Sequence, residues 1–187
     1  VELLLSRDEL PALGRHNTAN ALAASLTARV AGAQHRTIAG GLRGFRPLHH
    51  RLEPVGESGG FRWVNDSKAT NVAATVGALG SLEGPLVLLL GGKDKGEELS
   101  PLSEALHEGV RGVVVYGEVR SRMARALEGA TRIQTVDGTF EEAVSAARAL
   151  GKEGDILLLS PACSSFDMFD SYVARGERFA ALARGEV

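Results

Sequence analysis

The sequence predicts an α/β fold, a doubly wound and mostly parallel sheet entered through a β-hairpin. Three observations predict it. From Leu86 onward, strand-sized apolar runs alternate with helix-sized segments, the rhythm of repeated βα units. Two of those runs, Leu86–Leu90 and Ile156–Leu159, are apolar on both faces, as parallel strands covered by helices on each side must be. Ahead of them, Gly59-Gly60 separates two extended segments, the signature of a hairpin turn. The architecture expected is therefore Rossmann-like, with a helical segment in front of it.

Taken in order, Val1–Leu13 reads as a strand end and a loop. The Ala-rich stretch from Thr18 to about Val30 reads as a helix, and Thr37–Leu42 as a second, shorter one weakened by Gly40 and Gly41. Arg43-Gly44-Phe45-Arg46-Pro47 is a break and places a boundary between a segment 1–46 and a domain 47–187. The hairpin follows, Arg51–Ser58 and Phe61–Asn65. Further strands are expected at Leu86–Leu90, Gly112–Tyr116, Arg132–Val136 and Ile156–Leu159. Helices are expected at Val72–Leu79, Leu99–His107, Val119–Leu127, Phe140–Leu150 and Met168–Leu182.

Composition narrows the function. The 187 residues carry 21 Lys and Arg against 23 Asp and Glu, without the basic excess that sequence-independent nucleic-acid binding requires. One cysteine, Cys163, excludes an internal disulfide framework and a cysteine-built zinc site. The longest apolar run, Pro85–Leu90, is far short of the ~20 residues of a membrane span. The expectation is a soluble, cytoplasmic protein that binds neither nucleic acid nor membrane. The chain opens Val-Glu-Leu-Leu-Leu without an initiator Met, which reads as a piece of something longer.

In doubly wound sheets ligands sit outside the carboxyl ends of the strands, and three loops there are candidates. Asn65–Asn71 packs a carboxylate, an ammonium, two hydroxyls and two amides into seven residues. One helix cap accounts for one of them, and Lys68, expected in the first turn of a helix, opposes the macrodipole unless an anion binds there. Gly91-Gly92-Lys93-Asp94-Lys95-Gly96 combines a bendable backbone with two lysines, weak evidence alone. Ser160–Asp167 sets small and hydroxyl residues before an expected helix start, with Ser165 as cap, where free N–H groups favour a carboxylate or phosphate. Cys163 reads as a small buried residue. No Walker A loop, G-x-G pair, G-x-S-x-G or H-E-x-x-H occurs, so the usual phosphate loop, serine-hydrolase elbow and zinc motif are missing. No nucleophile, general base or metal site is assigned.

In order and spacing, Gly14-Arg15-His16-Asn17 with Asn20, His50-Arg51, Asn65–Asn71, Gly91–Gly96 and Ser160–Asp167 resemble the Mur ligases over essentially the whole chain, and within them the members that add D-glutamate. The resemblance implies a ligase of peptidoglycan precursor synthesis. ATP phosphorylates the carboxylate of UDP-N-acetylmuramoyl-L-alanine, and D-glutamate displaces the phosphate, with Mg2+ held mainly by a central domain absent here. It implies that 1–46 is the end of that ATP-binding domain and 47–187 the complete C-terminal, amino-acid-binding domain. The partner is then the rest of its own chain, the protein a monomer, and this piece folded but inactive alone. It implies ATP contacts at Asn17, Asn20, His50, Arg51 and Asp66, and D-glutamate contacts at Lys68, Thr70, Lys95, Ser165, Phe166 and Tyr172. Phe166 and Tyr172 depart from the Leu and Phe of the pattern, both keeping an apolar contact. The alternatives are a sibling ligase, a folylpolyglutamate synthase, or a non-catalytic Rossmann-like binding module; the absence of an Asp-Asn-Pro-Arg segment speaks against the diamino-acid-adding sibling.

Overall fold

The computed structural model describes residues 3–11 and 14–186, except the side chains of Arg15 and His16. Of the expected strand end and loop over Val1–Leu13, residues 1, 2, 12 and 13 lie outside the described residues, and Arg7–Glu9 form a turn of 3-10 helix. Two helices follow, α1 (Arg15–Val30) and α2 (His35–Arg43), which pack on each other. Along α1, Leu22, Leu26 and Val30 share one stripe and are 64%, 67% and 82% exposed, an apolar face left bare.

The remainder is one six-stranded sheet, β1 (Glu53–Ser58), β2 (Phe61–Asn65), β3 (Leu86–Gly91), β4 (Val110–Tyr116), β5 (Ile133–Thr135) and β6 (Ile156–Ala162), in the order β1-β2-β6-β3-β4-β5. Only the hairpin pair β1–β2 is antiparallel. One face is covered by α3 (Val72–Leu79), α4 (Ser100–Ala105) and α5 (Arg120–Ala126), through Leu79, Leu102 and Met123. The other is covered by α6 (Phe140–Leu150) and α7 (Tyr172–Arg184), through Val144, Ala147 and Phe179. Leu86 to Leu90 and Leu157 to Leu159 are fully buried, because each strand feeds alternate side chains into both layers.

Three local readings are corrected. β6 runs three residues beyond Leu159, through Pro161. Leu89 pairs with Leu159 and Gly91 with Ala162, so β6 spends one extra residue there, a bulge of the kind that admits proline in a central strand. α7 begins at Tyr172 rather than Met168, and its cap is Ser171, whose side chain accepts from the Ala174 N–H. Ser165 instead closes a turn, its carbonyl accepting from Met168 and Phe169 N–H, so no helix start stands directly behind the Ser160–Asp167 loop. Lys68 also lies outside any helix: α3 starts at Val72 with Asn71 as cap, and the macrodipole has no bearing on it.

Candidate functional site

β2, β3 and β6 are adjacent and parallel, so their carboxyl ends deliver the three candidate loops to one edge of the sheet. The loops are tied to each other. Lys93 N–H donates to Ser164 O at 2.9 Å, joining the loops after β3 and β6. That approach depends on Gly92, where a Cβ would lie 2.2 Å from Ser164 O on a backbone with φ of +133°. Lys95 Nζ donates to Thr70 O and pairs with Glu97, whose second oxygen accepts the Val72 N–H at 3.0 Å, joining the loops after β3 and β2. Arg122 on α5 grips the same segment from outside, a fork onto both oxygens of Asp94 at 2.7 Å and two bonds to Glu97 O. Paired with Arg122, the Asp94 carboxyl is held below its ordinary range.

Lys68 projects from the loop after β2 onto α7. Its Nζ donates to the Tyr172 hydroxyl at 3.1 Å and lies 4.5 Å from the ring centroid. Thr70 N–H donates to Lys68 O at 2.9 Å, so Lys68, Thr70, Lys95 and Tyr172 are linked along the mouth, Thr70 through its backbone. Ser165, on the loop after β6, is buried, and Phe166 stands 67% exposed on the turn that Ser165 closes.

The residues before and within the first loop are committed to the scaffold. His50 takes a left-handed backbone, φ 62°. Its ring is buried against Gly176 of α7, where a Cβ would lie 2.3 Å from Nδ1. Asn65 Oδ1 accepts from Ser67 N–H while its amide donates to Gly176 O and meets His50 Nδ1 at 3.0 Å, an arrangement in which Nδ1 serves as acceptor. Asp66 is buried, one oxygen accepting from Leu52 N–H at 3.1 Å and the other from Ser160 Oγ at 2.7 Å. Burial pushes its carboxyl up to about 6, against the pull of those two bonds and of Arg51. Arg51 and Asp66 line a small cavity of about 140 Å³ over the start of α3, with Ala73 and Gly77. His50, Lys68 and Tyr172 line a larger one, about 690 Å³, between the hairpin and α7.

Asn17 and Asn20 are not gathered with the others. They sit on α1, whose neighbour Gly14 lines a cavity with Glu83 and Ile156 at the amino ends of the strands, the opposite end of the sheet. The side chains of Arg15 and His16 lie outside the described residues. Cys163 is buried, its thiol pushed up to about 11 by burial, which suits the expectation of a small interior residue. Among the described residues no three His, Cys, Asp or Glu side chains are grouped to hold a metal ion, and no helix is long and apolar enough to cross a membrane.

One residue escaped the sequence. Arg175 of α7 is fully buried, its Nε donating to Ser67 Oγ at 3.0 Å, Nη2 to Ser67 O and Cys163 O at 2.9 and 3.1 Å, and Nη1 to Gly91 O at 3.4 Å. An arginine on a helix that also carries Arg178 and Arg184 reads as part of a solvated face. The only available signal was its place one residue before Gly176, in the turn after a capped helix start.

Residues 50–163 match the family model described as Mur ligase, glutamate ligase domain. The chain is 44% identical over 185 residues to a UDP-N-acetylmuramoylalanine--D-glutamate ligase of Solibacter usitatus, covering 98% of this chain and 41% of that protein. It is 43% identical over 179 residues to the protein of the same name in Salinibacter ruber, covering 96% and 39%. It therefore spans about two fifths of the length of these relatives. Among solved structures, the UDP-N-acetylmuramate-alanine ligase of Thermotoga maritima superposes with a TM-score of 0.67 at 16% identity, over 95% of this chain and 40% of that one. A folylpolyglutamate synthase of Mycobacterium tuberculosis gives 0.67 at 18% identity, over 91% and 41%. At such identities these two speak for the fold alone. The chain belongs to the Mur ligase family, and its residues 50–163 carry the match to that family's glutamate ligase domain.

Proposed function

We propose that the chain supplies the amino-acid-binding part of an ATP-dependent ligase that joins D-glutamate to UDP-N-acetylmuramoyl-L-alanine in cytoplasmic peptidoglycan precursor synthesis. In this reading the γ-phosphoryl group of ATP passes to the acceptor carboxylate, leaving ADP and an acyl phosphate. The D-glutamate amine attacks that carbonyl, and the tetrahedral adduct collapses with loss of phosphate. Lys68 and Lys95 take the carboxylates of D-glutamate, Thr70 and Ser165 offer hydroxyls, and Phe166 and Tyr172 flank its methylenes. Arg51, Asp66 and His50 are kept on the nucleotide side; Asn17 and Asn20, which lie toward the amino ends of the strands, would reach the same ATP only after residues 1–46 shift relative to the sheet. The chain's work is positioning and charge stabilisation; none of its residues is assigned as nucleophile or base. Its acidic groups do not fit a magnesium site: Asp66, the one acidic residue assigned to the nucleotide side, is buried with both oxygens engaged, and no step is routed through the ion.

Residues 1–46 are read as the end of the central ATP-binding domain and 47–187 as the C-terminal domain, the whole acting as a monomer. The bare stripe of Leu22, Leu26 and Val30 supports that division, since an exposed face of this kind is what a missing neighbour would cover. The single observation that carries the functional reading is the joining of Lys68, Thr70 and Lys95 at the carboxyl edge of one parallel sheet, in a chain whose relatives bear the D-glutamate ligase name.

The test is phosphate release from ATP by the full-length protein, with UDP-N-acetylmuramoyl-L-alanine and a panel of D- and L-amino acids, and residues 1–187 alone as control. Release that requires both acceptor and D-glutamate is expected from the full chain and none from the control. Release with another amino acid overturns the substrate assignment.

A further inference from the structure

Among the described residues Arg175 is the only arginine that is fully buried, and it forms no ion pair there. As a stabilising device this is a poor choice. A desolvated charge with no counter-ion costs more than well-packed apolar atoms of the same volume, and arginine cannot escape by giving up its proton. What a guanidinium offers instead is shape: a rigid planar fork whose donors leave at fixed angles.

Its acceptors are distributed accordingly. Ser67 belongs to the loop after β2, Gly91 ends β3, and Cys163 begins the loop after β6. One planar group therefore spans the carboxyl ends of three adjacent strands. Each acceptor precedes a residue assigned to substrate: Ser67 adjoins Lys68, Gly91 is four before Lys95, and Cys163 is two before Ser165. The backbone makes room for the fork, since a Cβ on Gly92 would lie 3.1 Å from Nη1.

Charge argues the same way. Parallel strands end in carbonyl oxygens, and three of them converging on one mouth would oppose an anionic substrate. By absorbing Ser67 O, Gly91 O and Cys163 O from below, the guanidinium cancels that partial negative charge where no water reaches.

We propose that Arg175 is the positioning residue of the amino-acid site: it sets the register of the three loops against one another, so that Lys68, Lys95 and Ser165 face a dicarboxylate together. This rests on the ligase reading above for the identity of the substrate, though not for the clamp.

The experiment uses the full-length protein with Arg175→Met, Arg175→Lys and Ser67→Ala, read by steady-state kinetics and by backbone hydrogen exchange. In Arg175→Met the amides of residues 65–71, 91–96 and 163–171 are expected to exchange about tenfold faster as a group, while β4 and α6 keep their protection. The KM for D-glutamate is expected to rise about tenfold with the KM for ATP within about twofold. Arg175→Lys, which keeps the charge and loses the fork, is expected to recover folding but not the KM. If Arg175→Met does not fold, Ser67→Ala decides: it removes the acceptor of Arg175 Nε together with the bond Ser67 Oγ donates to Tyr172 O, so the diagnostic result is a rise of about two- to threefold in the D-glutamate KM with faster exchange in 91–96 as well as in 65–71, since only the clamp joins those two loops to Arg175. Wild-type KM and loop protection in a folded Arg175 variant overturn the proposal, as does Ser67→Ala without either change. Full restoration by lysine overturns the geometric role. Should the wild-type protein show no D-glutamate-dependent turnover, the ligase reading fails, and the exchange pattern still decides the clamp.

Discussion

The ammonium of Lys68 is held on Tyr172 in two ways at once, 3.1 Å from the hydroxyl and 4.5 Å from the ring centroid. A phenylalanine at 172 would keep only the second. The tyrosine thus orients the lysine while leaving two of its three N–H groups for a ligand.

Tyr172→Phe separates the two contacts. Loss of one hydrogen bond of ordinary strength, about 1 kcal/mol, is expected to raise the KM for D-glutamate about two- to fivefold with little change in thermal stability. Tyr172→Ala, which removes the ring as well, is expected to cost more. Steady-state kinetics of the full-length protein with D-glutamate varied are the check.

Asp66 makes stability depend on acid. Its folded carboxyl titrates near 6 against an ordinary value of 3.8, so its contribution is whole below pH 3.8 and is lost as pH rises through 6. Asp66→Asn, which can accept from Leu52 N–H and donate to Ser160 Oγ, is expected to gain on wild type across that window. The gain is on the order of 3 kcal/mol by pH 7. Urea unfolding at pH 4 and pH 7 measures it, and a constant difference between the two proteins would contradict the assignment.

Arg122→Ala releases the Asp94 fork and both bonds to Glu97 O. The pair is half-buried at the surface, its side chains 36% and 27% exposed, so the loss in melting temperature is expected to be modest. The segment that carries Lys95 loosens, and a rise of about threefold or more in the D-glutamate KM is expected, with kcat less affected.

At Gly176 two effects compete. Alanine favours a helix interior by about 1 kcal/mol, but its Cβ would sit 2.3 Å from the His50 ring, which is buried and bonded to Asn65. Overpacking of a fixed ring costs about 1–3 kcal/mol, so Gly176→Ala is expected to destabilise. Calorimetry decides the sign.

Much of this was legible in the residues. Gly59-Gly60 marks the hairpin turn, and the unbroken apolar runs mark β3 and β6, because period and burial are written locally. Pro161 hid the end of β6: a proline normally closes a central strand, and only the β3 partner, one residue short between Leu89 and Gly91, reveals the bulge that admits it. Ser165 and Ser171 are equally good caps on paper. The choice between them is made by the turn at Ser165 O, a tertiary matter. Arg175 and the buried state of Asp66 were out of reach for the same reason, since burial of a charge depends on distant partners: for Arg175 the acceptors of Ser67, more than a hundred residues away, and for Asp66 the donor Ser160 Oγ, ninety-four away.

The rims of the sheet carry a last consequence. β1 holds Pro54, which has no N–H to give, and shifts register between Pro54 and Gly56. β5 at the opposite rim is only three residues long. Neither rim offers a long flat row of unpaired donors and acceptors. Two such domains brought together at high concentration are therefore poor templates for each other's strands, and the purified protein should resist edge-to-edge aggregation even while the mouth of the sheet stays open.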